Sequence, residues 1–144
     1  MNKIYTLPLF DELATLENVG GKGMSLSKLI EAGIPVPDGF HVTTDAYKQY
    51  MNDNEISDSI TALLDSTDPS DTNGLEAVSQ KISELFVKGV IPSEIEKEII
   101  FSYNHLGTTP VAVRSSGTAE DLPGASFAGQ HETYPISFLH CIKG

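Results

Sequence analysis

Apolar side chains along this chain of 144 residues recur mainly at helical spacing. Positions three, four and seven residues apart share one face of an α-helix, so the pattern predicts amphipathic helices. Five such helices are predicted, with apolar faces that contain Leu26, Leu29 and Ile30; Tyr47, Tyr50 and Met51; Ile56, Ile60, Leu63 and Leu64; Leu75, Val78, Ile82, Leu85 and Phe86; and Ile95, Ile99, Ile100 and Tyr103.

Capping residues set the expected ends of these helices. Gly33 is a natural stop for the first helix, and Thr43 or Thr44 can cap the second. The fourth helix is expected to end near Gly89. Ser93, followed three residues later by Glu96, has the spacing of a capping box and predicts the start of the fifth helix.

Three short apolar segments are predicted to be strands, namely residues 5–10, 40–42 and 111–114. The last of them, Val111 to Arg114, is rich in β-branched residues, which favour extended structure. The chain length suits one domain. The predicted fold is α+β, with a mixed sheet and a helical middle.

Gly20, Gly21 and Gly23 surround Lys22 at the expected start of the first helix. Glycines allow close approach of a ligand to the backbone, and the N–H groups at a helix N-terminus attract anions. Lys22 would add a full positive charge to such a site. The pattern lacks the complete phosphate-loop motif, so a tight turn with a solvated lysine remains the alternative.

Arg114 is the only arginine in the chain, and it lies at the end of the predicted strand. A guanidinium group can hold two phosphate oxygens at once and stays charged. The small residues that follow, among them Gly117, Gly124 and Gly129, permit close approach to a ligand. Together with the glycine turn, they suggest one polyanion held from two sides, most simply a nucleoside triphosphate. The alternative is a surface loop in which Arg114 pairs with an acidic neighbour.

The net charge of −11 argues against a nucleic-acid or anionic-membrane partner, because both reward clustered basic residues. No apolar run approaches the roughly 18 residues of a membrane span, and no signal-peptide pattern is present. The single cysteine, Cys141, cannot form an internal disulfide, and the four histidines show no metal-ligand spacing. These features predict a cytoplasmic protein without a metal site of its own.

Two segments carry a family resemblance. VGGKGMSLSKLIEAGIPVPDGFHVTTDAY and VAVRSSGTAEDLPGASFAGQHETY resemble, in order, two hallmarks of the phosphoenolpyruvate synthase and pyruvate phosphate dikinase family. That family includes rifamycin phosphotransferases. The resemblance implies the first subdomain of an ATP-grasp domain, with ATP bound between two subdomains. It assigns phosphate contacts to Lys22 and Arg114, and nucleotide contacts to Gly129 and Thr133.

The resemblance also implies what lies elsewhere in full-length relatives. There, a second subdomain supplies the Mg²⁺ ligands, and a histidine on a swivelling domain carries phosphate from ATP to the acceptor. In the synthases the reaction is ATP, pyruvate and water to phosphoenolpyruvate, AMP and phosphate. No matching histidine or second subdomain is recognisable in this sequence, so we expect no dikinase turnover from the chain alone.

The C-terminal residues depart from the family pattern. We expect the ATP-grasp subdomain to cover residues 1–134 and the divergent tail, PISFLHCIKG, to cover residues 135–144. Three functions stay open: the ATP-binding fragment of a synthase-like dikinase, that of a rifamycin phosphotransferase, or a non-catalytic remnant or regulatory module. Apolar surface exposed by truncation predicts self-association of the chain.

Overall fold

The computed structural model describes residues 3–107 and 109–118, and also the backbone of the strand at 133–136. Helices and short strands are both present, which confirms the α+β class. In chain order the elements are β1 (Thr6–Pro8), α1 (Leu16–Glu31), β2 (Phe40–Val42), α2 (Thr44–Asp53), α3 (Ile56–Asp65), α4 (Thr72–Lys88), α5 (Ser93–His105), β3 (Val111–Arg114) and β4 (Thr133–Ile136).

The described strands form two separate antiparallel pairs. In the first pair, Leu7 of β1 lies opposite His41 of β2. In the second, Arg114 of β3 lies opposite Thr133 of β4. The prediction of a mixed sheet is therefore wrong for this part of the chain. Strands of three or four residues can be recognised from composition, but their partners and directions are set by tertiary packing.

The apolar core lies between β1, α2 and α5. Tyr5, Ala46 and Ile95 are buried together, and Ile99 packs against them. A carboxylate reinforces this contact, because Glu98 Oε2 accepts hydrogen bonds of 3.1 Å from the backbone N–H groups of both Tyr5 and Thr6. Helix α5 is thus held to β1 by apolar packing and by a charged acceptor.

The predicted helix ends are mostly confirmed. Thr43 caps α2 by accepting a hydrogen bond from the backbone N–H of Ala46, and α4 ends before Gly89. The capping box predicted at Ser93 is wrong: Pro92 is the N-cap of α5, and no side chain in the described part of the chain caps this helix. The Pro92 carbonyl already accepts from the N–H of Glu96, so Ser93 is the first helical residue and not the cap.

Helices α3 and α4 pack side by side and border an open groove of about 470 Å³. Its lining includes Leu63, Lys81, Leu85 and Lys88, and none of the lining residues belongs to the glycine turn or to the Arg114 segment. Within the described part of the chain, no helix has both the length and the apolar character that crossing a bilayer requires.

Candidate functional site

Helix α1 begins earlier than predicted and is interrupted at the glycine turn. Thr15 and Asn18 form a reciprocal capping box at its start: Thr15 Oγ1 accepts from the N–H of Asn18, and Asn18 Oδ1 accepts from the N–H of Thr15. Gly20 then leaves helical geometry, with φ 73° and ψ 177°. This region of backbone space is accessible essentially to glycine alone. The helix resumes after Gly20, so Gly21, Lys22 and Gly23 do lie at a helical start.

The segment that follows Arg114 docks directly onto this interruption. Ser116 Oγ donates a hydrogen bond of 2.7 Å to the Val19 carbonyl and accepts one of 3.1 Å from the N–H of Gly23. Gly21 donates a third, of 3.0 Å, to the Gly117 carbonyl. We call these three hydrogen bonds the Ser116 latch. They join two segments more than 90 residues apart in sequence and bring the two predicted cationic motifs together.

The closeness of this contact explains the glycine at position 20. A Cβ atom placed on Gly20 would overlap both the carbonyl oxygen and the hydroxyl of Ser116, and it would lie 2.7 Å from the Ser116 carbonyl carbon. Gly20 therefore serves two needs at once, a backbone conformation that other residues avoid and the space that Ser116 occupies.

The predicted site residues are placed as follows. Lys22 is half-buried at the helical restart, and Arg114 is exposed as the last residue of β3, two residues before Ser116. The backbone of Thr133 lies opposite Arg114 in the strand pair. Gly129 lies outside the described residues. The nucleotide contacts assigned to these four residues stay predictions, whereas the neighbouring placement of the Lys22 and Arg114 segments is a feature of the structure.

Two backbone donors of the glycine turn are used within the chain. N–H groups at a helix N-terminus attract anions in general, but the N–H groups of Gly21 and Gly23 donate to Gly117 and Ser116. The Gly117 carbonyl and the Ser116 hydroxyl are the acceptors that satisfy these two groups. The sequence carries only a weak signal for this contact, which is the pair of small residues, Ser116 and Gly117, that can approach a helix backbone closely.

A buried polar cluster packs against the part of α1 that follows Gly20. Ser27 Oγ donates to the Leu9 carbonyl at 2.6 Å, and it lies 3.2 Å from the Gly23 carbonyl. His41 Nε2 lies 3.3 Å from the same Leu9 carbonyl, which can only accept, so Nε2 carries the proton. A Cβ on Gly23 would lie 3.2 Å from the His41 ring. The glycine turn thus rests on β2 and on the chain that follows β1.

Burial lowers the pKa of His41 below its ordinary value of 6.5, although its hydrogen bond to Leu9 acts in the opposite direction. Below about pH 6.5 the unfolded chain therefore takes up a proton that the folded protein resists. Stability should fall as the pH drops through this range, with a slope of at most about 1.4 kcal/mol per pH unit from this group.

The expected measurement is urea unfolding at about pH 7.5 and about pH 5.5, compared between the parent and His41→Gln. The parent should lose more stability than the variant on acidification. Equal pH dependence in the parent and in His41→Gln would contradict the assignment.

Among residues 3–107 and 109–118, no group of three or more His, Cys, Asp or Glu side chains could hold a metal ion. The Mg²⁺ ligands, which the family resemblance assigns to a second subdomain, stay a prediction. Glu120 and Asp121, the acidic neighbours of Arg114 in sequence, lie outside the described residues. We assign no step to a protein-bound metal.

Comparison with known proteins gives a family match and several curated relatives. Residues 16–138 match the family described as pyruvate phosphate dikinase, AMP/ATP-binding domain. A probable phosphoenolpyruvate synthase of Methanocaldococcus jannaschii is 43% identical over 132 residues, or 86% of this chain. One of Archaeoglobus fulgidus is 48% identical over 81% of this chain. The phosphoenolpyruvate synthase of Deinococcus radiodurans is 41% identical over 85% of it.

The chain spans only a small part of these relatives, 11% of the Methanocaldococcus protein and 16% of each of the other two. Similarity therefore concerns one region of much longer proteins. Both cationic motifs and the latch between them lie inside the matched range of residues 16–138. The chain belongs to the pyruvate phosphate dikinase AMP/ATP-binding domain family.

Proposed function

We propose that this chain binds ATP, with Lys22 and Arg114 holding its phosphates, as the nucleotide-binding part of a phosphoenolpyruvate synthase-like dikinase. The observation that carries this proposal is the Ser116 latch, which places the two cationic segments side by side. Family membership supports the choice of an adenine nucleotide as the anion. The names of the relatives support a synthase over a rifamycin phosphotransferase.

The arrangement suits phosphate binding for an electrostatic reason. With a net charge of −11, the chain as a whole repels an anion, so binding depends on a few local cations. Lys22 contributes a compact charge from the point where helix α1 resumes. Arg114 contributes a planar, bidentate donor from the end of β3. The exposure of Arg114 leaves its guanidinium accessible to a ligand.

The remaining assignments rest on the family resemblance. We propose that residues 1–134 correspond to the first subdomain of an ATP-grasp domain, and that Gly129 and Thr133 contact the nucleotide. Strand β4 runs from Thr133 to Ile136 and so extends past the proposed boundary at residue 134. In a longer protein of this family, the bound ATP would supply the phosphoryl groups for converting pyruvate and water to phosphoenolpyruvate and phosphate, with release of AMP.

Calorimetric titration of the 144-residue chain with ATP tests the proposal, with adenosine as a control that lacks phosphates. We expect weak but measurable ATP binding, near millimolar, because only one side of the nucleotide cleft is proposed here. Adenosine should bind more weakly still, since it offers nothing to Lys22 and Arg114. Equal affinity for both ligands, or no ATP binding at high protein concentration, would contradict the proposal.

We propose in addition that the isolated chain self-associates. Val87 is 85% exposed and Val90 is 74% exposed, and both lie with the half-exposed Ile91 where α4 leads into α5. Apolar side chains grouped in this way favour contact with another surface. Light scattering should show a mass above that of one chain, rising with concentration. The mass of a single chain at every concentration would contradict this prediction.

A further inference from the structure

We propose that Ser116 is a positioning residue of the nucleotide site, which fixes Arg114 relative to Lys22 through the latch; the proposal rests on the ATP-binding function proposed above. Ser116 is half-buried, and its hydroxyl contacts α1 at two points of the backbone. It neither contacts a phosphate in this proposal nor takes part in chemistry. Its role is to hold the end of β3 against the glycine turn.

The hydroxyl occupies an unusual place in the helix. The Val19 carbonyl and the Gly23 N–H are four residues apart, the pair that an uninterrupted α-helix joins directly. Here Ser116 Oγ lies between them, donating to one and accepting from the other. A serine hydroxyl has one donor and two acceptor positions, so it can satisfy both the carbonyl group and the N–H group. A side chain from a distant segment thus replaces one backbone hydrogen bond of helix α1, at the turn that contains Lys22.

This geometry restricts Arg114. Two residues of chain span at most about 7 Å, so anchoring Ser116 confines the backbone of Arg114 to the vicinity of the glycine turn. The hydrogen bond from Gly21 to the Gly117 carbonyl anchors the next residue as well. On the other side, pairing with Thr133 holds Arg114 in the strand. A ligand bound by two cations gains from such fixed spacing, because the cost of ordering them has already been met before it arrives.

The hydrophobic core provides a way to separate positioning from general stability. Tyr5, Ala46, Ile95 and Ile99 make up the core cluster, and Ser116 does not belong to it. Removal of the Ser116 hydroxyl is therefore expected to leave the core packing in place. What it removes is the bridge between Val19 and Gly23 and the fixed position of Arg114.

The test is a double-variant comparison of ATP affinity in the full chain. Ser116→Ala should weaken ATP binding about tenfold, since it removes two hydrogen bonds that hold the site. Ser115→Ala, at the exposed neighbouring serine, is the matched control and should bind ATP as the parent does. In an Arg114→Ala background, Ser116→Ala should cause little further loss, because there is no longer an arginine to position.

Two results would overturn the positioning role: unchanged ATP affinity in Ser116→Ala, or an equal loss with and without Arg114, which would indicate a structural effect. Amide hydrogen exchange at Gly23, measured in the absence of nucleotide, reports whether the hydrogen bond from Gly23 to Ser116 is intact. It should be slow in the parent and in Ser115→Ala, and faster in Ser116→Ala. Exchange at Gly23 that is unchanged by Ser116→Ala would remove the basis of the proposal. A parent chain that binds no ATP would instead refute the proposed function, and the positioning role with it.

Discussion

Replacing Arg114 by alanine is expected to weaken ATP binding about 10- to 100-fold. The reason is that a charge-assisted hydrogen bond contributes roughly 1.5–3 kcal/mol and that Arg114 is the only arginine in a chain with a net charge of −11. Few other cations can compensate for its loss. Lys22→Ala should cause a loss of similar size, because the proposed site depends on both groups.

Two further variants make this result specific. Arg114→Lys keeps the positive charge but loses the planar pair of donors, so it should restore affinity only in part. Lys28→Ala removes an exposed cation from the last turn of the same helix as Lys22, and it should leave ATP affinity close to that of the parent. Equal losses of ATP affinity in Arg114→Ala and Lys28→Ala would indicate that binding depends on the net charge of the chain and not on a specific site.

Gly20→Ala is expected to have the second large effect, on both stability and ATP affinity. An alanine at this position would occupy a backbone region that costs of order 1–3 kcal/mol for a residue with a side chain. Its Cβ would also overlap Ser116, so the latch must open or the helix must shift. We therefore expect a lowered unfolding midpoint in urea, together with ATP binding weakened at least as much as in Ser116→Ala.

Gly33→Ala is the matched control for this variant. Gly33 also has a positive φ, of 76°, but an added Cβ would meet no atom within 4 Å among the residues that the structure describes. It should therefore show a backbone penalty of roughly 1–2 kcal/mol and no change in ATP affinity. Equal loss of ATP binding in both glycine variants would mean that the contact between Gly20 and Ser116 plays no part in the site.

The local elements of the fold could be predicted because each depends on neighbouring residues. The apolar repeat of α4, from Leu75 to Phe86, and the threonine cap of α2 each lie within one short stretch of sequence. The β-branched strand that ends at Arg114 was predicted with its observed bounds. The family resemblance likewise depends on two continuous segments, and the family match confirms it.

The latch could not be predicted in the same way, because it joins residues separated by more than 90 positions. Nothing local distinguishes a glycine amide that faces a phosphate from one that faces a serine of the same chain. The start of α1 was missed for a related reason: Thr15 and Asn18 form a capping box, but Gly20 breaks the helical pattern soon afterwards. Sequence periodicity therefore indicated only the part of α1 beyond the break.

The most direct test of the central claim is to map ATP on the chain by changes in backbone amide resonances. If Lys22 and Arg114 bind the phosphates, the largest changes should fall in residues 20–23 and 114–118. The groove between α3 and α4 provides an internal comparison, because Lys81 and Lys88 line it and could also attract an anion. Changes confined to that groove, with residues 20–23 and 114–118 unaffected at saturating ATP, would contradict the account.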